Sequence, residues 1–284
     1  MASNTESQTD MRNLHCKISG ALEQALLERQ KQSGETTGHI VRAALADYLQ
    51  VSHSTLFQIS SINALVEGIY RGEISVDQLK EHGDFGLGTF ESLDGEMVVL
   101  DGHFFQVTAD GKVREVSGDA RTPFAVVTRF QPGNHTDFLR CGSFADLETQ
   151  INGFRHSNNT FYAIRIDGRF DFVRTRAMHR TADGVPLVEA AAHQPEFEFS
   201  DIAGSVVGFW SPSYVSTLNV PGYHLHFISE DRSSGGHVLE LSGSDLKLRI
   251  QEENDLRVAL PENEAFLRAN LTRDITEDLN KAER

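Results

Sequence analysis

The sequence is short of cysteine: Cys16 and Cys141 are its only two. That excludes a disulfide framework and a zinc site built of cysteine alone. It is also short of positive charge. Lys and Arg number 26 against 41 Asp and Glu, a formal charge of −15, which argues against a nucleic-acid coat or an anionic-membrane surface over the whole chain. No apolar run nears the ~20 residues that a membrane-spanning helix needs. The opening MASNTESQTD is polar and acidic, without the basic and apolar regions of a secretory signal. The expected compartment is therefore the cytoplasm. What is present is a globular composition, 39% hydrophobic and 24% charged over 284 residues. That length suits one large domain or two smaller ones, and either can bury a core without staples.

The pattern divides the chain into a disordered tail over 1–10, a small module over 11–50 and a large body over 51–284. In the module, Leu14, Cys16 and Ile18 alternate with Asn13, His15 and Lys17. This predicts a short strand with one apolar face. Ser19 can cap a helix carrying Leu22, Leu26 and Leu27 that stops near Gly34. Thr36 or Thr37 can cap a second, with Ile40, Val41, Ala44, Leu45, Tyr48 and Leu49 at helical spacing. Forty such residues are too few to fold alone, so the module should pair with something.

The strand-helix-helix order resembles the ribbon-helix-helix DNA-binding module. That resemblance implies a homodimer whose paired strands turn Asn13, His15 and Lys17 toward base edges, with the second helix starting near a phosphate. The local charge gives it little help. Arg12, Lys17, Arg29, Lys31 and Arg42 face Glu23, Glu28, Glu35 and Asp47, a net of +1. A dimerising or packing role is the competing reading.

The body reads as α+β, with a β-rich antiparallel or mixed sheet. Residues 54–82 suggest two helical pieces, the second capped by Ser75. From Gly83 onward short apolar runs (97–100, 103–107, 124–130, 161–166, 205–210 and 237–243) are separated by Asp-Gly, Pro-Gly and Gly-Gly pairs, which predict turns. Ser143 to Ile151 suggests a short helix, and 262–283 a closing one.

The sharpest chemical feature is GYHLHFISEDRSSGGHVLEL, residues 222–241. His224 and His226 are two apart, so on a strand both rings leave from one face. A reversal over Glu230 to Gly236 returns His237 beside that face, with Gly235 and Gly236 permitting the sharp turn. Three converging imidazoles with open positions suit Zn²⁺ or a similar divalent ion. Tyr223, Leu225 and Phe227 then point away and anchor the sheet. Phe85, Leu87, Phe90, Trp210 and Val215 are candidates for core or pocket wall. The spacing from His224 and His226 to Glu230 also fits half of a cupin metal motif. However, Gly222 is too close, and His237 occupies the place of a later glycine.

Longer blocks carry a second resemblance. GDFGLGTFESLDGEMVVLDGHFFQV (83–107), FYAIRIDGRFDFVRTRA (161–177), VGFWSPSYVSTLNVPGYHLHFISEDRSSGGHVLEL (207–241) and KAER at the end resemble α-acetolactate decarboxylase, from about Leu56 onward. The resemblance implies conversion of 2-acetolactate to acetoin and CO₂ at a zinc site, without an organic cofactor. It places the ligands on His224, His226 and His237, and active-site residues on Glu96, Arg176 and Glu283, with Thr89 lining the pocket. Glu277, six residues before Glu283, competes for the terminal role. Losing CO₂ from a β-keto acid leaves charge on the neighbouring carbonyl, and a divalent cation supplies a Lewis acid for it. Arg176 suits the substrate carboxylate. Glu96 or Glu283 can carry a proton, and delivery to one face would give one acetoin enantiomer. The alternatives are a regulator that senses acetolactate through a decarboxylase-like domain, and a cupin-like metal oxygenase or isomerase.

Overall fold

The computed structural model of the chain describes residues 14–49, 55–132 and 136–283, apart from the side chains of Asn280 and Glu283. The expected tail over 1–10 and Asn13 lie outside these residues. The chain divides into two compact units, Met1–His53 and Ser54–Arg284. No helix among the described residues is long and apolar enough to cross a membrane.

In the first unit, helix α1 (Gly20–Ser33) opens where the Ser19 hydroxyl accepts from the Leu22 amide, and stops at Gly34 with φ +74°. Both signals are the ones expected at helix ends. Helix α2 (Thr37–Leu49) is opened by Thr36, whose Oγ1 accepts from the His39 amide at 3.2 Å. The strand expected before α1 is not formed over 14–19. A strand needs a ladder partner, and no described segment of the chain supplies one.

The second unit runs β1 (Thr55–Ile59), α3 (Ile62–Val66), β2 (Ile74–Ser75), α4 (Val76–Lys80), β3 (Phe85–Thr89), β4 (Glu96–Leu100), β5 (His103–Val107), β6 (Val113–Glu115), β7 (Arg121–Thr122), β8 (Ala125–Thr128) and β9 (Asp137–Cys141). It continues with α5 (Phe144–Asn152), β10 (Phe161–Arg176), α6 (Leu187–Ala191), β11 (Glu196–Ser211), β12 (Gly222–Ser229), β13 (Gly235–Glu253), β14 (Asp255–Ala259), α7 (Glu264–Arg268) and α8 (Thr276–Glu283). One sheet has seven strands in the order β14-β1-β8-β3-β4-β5-β6, and another has five, β10-β11-β12-β13-β9. Strand β10 also pairs with β13. The β1–β14 pair is parallel and the other pairs of these sheets are antiparallel. The unit is α+β and sheet-rich, as its sequence predicts.

The sheets pack through period-two alternation. Along β4, Val98 and Leu100 enter a core that also holds Val207, Phe209 and Ile228 of the five-stranded sheet. Met97 and Val99 face the opposite way, onto Val76 and Leu79 of α4. Along β12, Ile228 joins the shared core, whereas Leu225 and Phe227 pack on the far side with Leu147 and Ile151 of α5. Side chains in phase with Val98 and with Ile228 therefore point toward one another between the sheets, and Glu96, His224 and His226 are in that phase.

Three stretches differ from expectation. Thr55–Ile59 is a strand rather than helix, because Leu56, Phe57, Gln58 and Ile59 are all buried and both faces are covered. The closing segment is broken into α7 and α8: Asn263 caps the first, and Asp274 Oδ1 accepts from the Thr276 amide at the start of the second. Asp167-Gly168 makes no turn. It lies inside β10 at a register shift, where Asp167 accepts from Arg165, Arg249 and Ser205.

Glu253 ends β13 fully buried. Its Oε1 accepts from Thr128 Oγ1 at 2.8 Å and from Gln251 Nε2 at 2.7 Å. Burial raises its carboxyl to a pKa of about 8 despite those two donors.

Candidate active site

Glu96, in phase with Val98, lies on β4 at the edge of the inter-sheet core, 6% exposed. Its Oε1 accepts from the Met178 amide at 3.1 Å. His226 stands opposite on β12, with its Nε2 3.6 Å from Glu96 Oε2. His226 pairs in register with His237 on β13, and His237 pairs with Arg176 at the end of β10. Four strands thus bring Glu96, His226, His237 and Arg176 together.

The three imidazoles converge. Their ring centroids are 5.0–5.4 Å apart, and one nitrogen from each lies within 4.8 Å of the others. Backbone form makes this possible at Gly236, where φ is +130° and an added Cβ would sit 2.5 Å from the Arg176 carbonyl oxygen. Without that close approach β13 could not lay His237 beside Arg176. Gly235 and Gly236 therefore serve strand contact rather than the reversal. The turn itself is made by 230–234, with Arg232 at φ +58° and the Ser229 hydroxyl accepting from the Ser233 and Ser234 amides. Glu230 is exposed in that turn and takes no part in the histidine group, so the cupin-type triad is not assembled.

The electrostatics suit a cation. Burial drives the pKa of His224 down to about 3, helped by the charge of Arg176. Burial also holds His226 well below the ordinary histidine range, with a smaller push from His224. Both rings are neutral at neutral pH, as ligands must be. His226 Nδ1 is 2.8 Å from the Met97 carbonyl oxygen. A carbonyl only accepts, so Nδ1 carries the hydrogen and Nε2 keeps its lone pair. That Nε2 is buried and makes no hydrogen bond among the described residues. A buried acceptor without a donor, aimed at two further imidazoles, fits a divalent ion.

Beside the histidines lies a cavity of about 40 Å³, room for a few waters. Its polar end carries Thr89, Glu96, Arg176, His224, His237 and Gln194, and its apolar wall includes Leu65, Phe124, Met178, Leu187 and Ala282. Thr89 lines the cavity as expected, with its hydroxyl donating to the Gly95 carbonyl at 2.8 Å. Phe85, Leu87, Phe90, Trp210 and Val215 are core residues outside the cavity lining. Arg176 donates to the Ala282 carbonyl of α8. Glu283 ends that helix, and its side chain lies outside the described ones. Glu277 pairs with Lys281 on the exposed side of α8. Sequence reasoning missed the apolar wall and Gln194, which come from segments that no local pattern ties to the histidines.

The family model that matches describes alpha-acetolactate decarboxylase and covers residues 56–273. The chain belongs to the α-acetolactate decarboxylase family. It is 43% identical to the alpha-acetolactate decarboxylase of Methylococcus capsulatus over 80% of this chain and 88% of that one. With the Methanosarcina mazei protein of the same name it shares 41% over 81% and 80%. The crystal structure of alpha-acetolactate decarboxylase from Bacillus subtilis strain 168 superposes with a TM-score of 0.78 at 38% identity, over 81% of this chain and 99% of that one. The second unit is thus an α-acetolactate decarboxylase fold, and the chain is a carboxy-lyase by family.

Proposed function

We propose that His224, His226 and His237 hold one divalent cation, zinc first among candidates, beside which Glu96 and Arg176 decarboxylate 2-acetolactate to acetoin and CO₂. The observation that carries this reading is the meeting of three buried imidazoles beside a small cavity that a carboxylate and a guanidinium also line. The cation would supply a Lewis acid where charge develops as CO₂ departs. Arg176 binds the substrate carboxylate, its planar fork fixing the C–CO₂ bond direction. CO₂ carries no charge, so the same guanidinium does not retain the product. Glu96 is held by the Met178 amide and moves the proton that the product carbon gains. Glu283 is the second carboxylate assigned to this end of α8. The experiment is a metal count paired with an acetoin assay. Purified protein should hold about one divalent ion per chain, lose acetoin release on chelation and regain it with zinc. Full turnover by metal-free protein would overturn the reading.

A specific observation favours a role for the first unit. Leu14, Cys16, Ile18, Leu22, Leu26, Ile40 and Leu45 line one apolar groove, and Leu14 is 69% exposed. We infer that a second copy covers this face, completing the unformed strand and giving a homodimer that offers His15 and Lys17 to DNA. A variant beginning at Leu56 should fall to a smaller association state and lose any salt-sensitive DNA affinity of the full chain. An unchanged state, with no such affinity in the full chain, would reduce the unit to an appendage.

A further inference from the structure

Gln194 has no assigned role, yet it lines the cavity beside Arg176 and the histidines. Its placement is fixed by backbone. The Gln194 amide donates to the Ala191 carbonyl at 3.4 Å, and the Ala177 amide donates to the Pro195 carbonyl at 3.3 Å. Glu196 then pairs in register with Arg176. The segment 194–196 is thereby clamped alongside the end of β10.

Of the other polar groups of the cavity, His224 and His237 belong to the proposed cation site, and the rest are engaged with protein. The Thr89 hydroxyl hydrogen goes to the Gly95 carbonyl, Glu96 accepts from Met178, and Arg176 donates to Ala282. Gln194 Oε1 differs: it is buried and has no hydrogen-bond partner among the described residues. Buried acceptors are rarely left so, because their lost hydration is not replaced. A ligand that brings a donor would replace it. The anion of 2-acetolactate has a single hydrogen-bond donor, the hydroxyl on C2, since its carboxylate and ketone only accept. That hydroxyl survives into acetoin, so a group that binds it need not release it during the reaction.

We propose that Gln194 determines specificity by accepting a hydrogen bond from the C2 hydroxyl of the substrate, so that the site selects 2-hydroxy-3-oxo acids over 3-oxo acids without the hydroxyl. The inference rests on the active site proposed above. It also explains how a small cavity with a mostly apolar wall can tell a hydroxyl from a methyl of similar size: an unfilled acceptor penalises the methyl.

The test compares 2-acetolactate as substrate with 2,2-dimethyl-3-oxobutanoate, in which a methyl replaces the hydroxyl, as competitive inhibitor. In Gln194→Met the side chain keeps its length and loses its acceptor. The KM for 2-acetolactate should rise about tenfold with kcat within about twofold, and the inhibition constant of the analogue should stay unchanged or fall. Metal content should match the wild type. Gln194→Leu, measured alongside, should show the same split. If both constants weaken together, or neither moves, Gln194 does not read the hydroxyl. A wild-type enzyme that makes no acetoin with metal bound would overturn the active-site reading and this inference together. An active wild type with an unchanged Gln194→Met overturns this inference alone.

Discussion

His226→Ala should abolish both metal retention and turnover. The ring removed is the most deeply enclosed of the three, 1% exposed, and the one whose tautomer is set by the Met97 carbonyl. Two imidazoles from adjacent strands remain, too few to fix an ion in a tetrahedral site. Without the Lewis acid, kcat/KM should fall by about 10³ or more, roughly 4 kcal/mol of transition-state stabilisation. The measurement pairs elemental analysis with acetoin release, using His156→Ala as control, because His156 pairs with Glu252 apart from the histidine group. Wild-type turnover by metal-depleted His226→Ala would remove this ligand from the site.

Glu96→Gln should separate proton transfer from metal binding. Glutamine has the same shape, and its oxygen can still accept from the Met178 amide, so the fold around β4 is retained. What goes is the titratable carboxyl that can take up and release a proton. Loss of a positioned acid or base lowers rates by about 10²–10⁴. The expected result is a kcat reduced to that extent, KM within a few-fold and metal content unchanged. Metal lost along with activity would instead make Glu96 a ligand, which its Oε2, 3.6 Å from His226 Nε2, is near enough to become. Activity preserved would remove it from the chemistry.

The candidate ligands are legible in the sequence because their geometry is local. Two histidines two apart share a face on any strand, and a reversal of a few residues returns the third. The reversal differs in detail from that expectation: the glycine pair marks a close approach of backbones rather than the bend. Glu96 and Arg176 carry no such local signal, and only the longer family blocks single them out. Gln194 is harder still. Its position depends on the return from β10 to β11, eighteen residues after Arg176 in sequence, and a lone glutamine before Pro195 looks like any loop residue. The same limit hides β1 and the long strands. Leu56, Phe57 and Ile59 give no alternation because both faces are buried, and Asp167-Gly168 imitates a turn until Arg165 and Arg249 supply its charge partners. In the first unit the helix ends are written in Ser19, Gly34 and Thr36. The expected strand has no ladder partner among the described residues.

Glu253, taken alone, favours mild acid over alkali. Its carboxyl titrates near 8 in the fold and near 4.3 in an open chain, so between those values the native state holds a proton that the denatured state has released. The advantage is complete below the lower value, shrinks as alkali is added and is spent above the upper one, a swing on the order of a few kcal/mol. Glu253 therefore weakens the fold in alkali, whereas the buried neutral rings of His224 and His226 weaken it in acid.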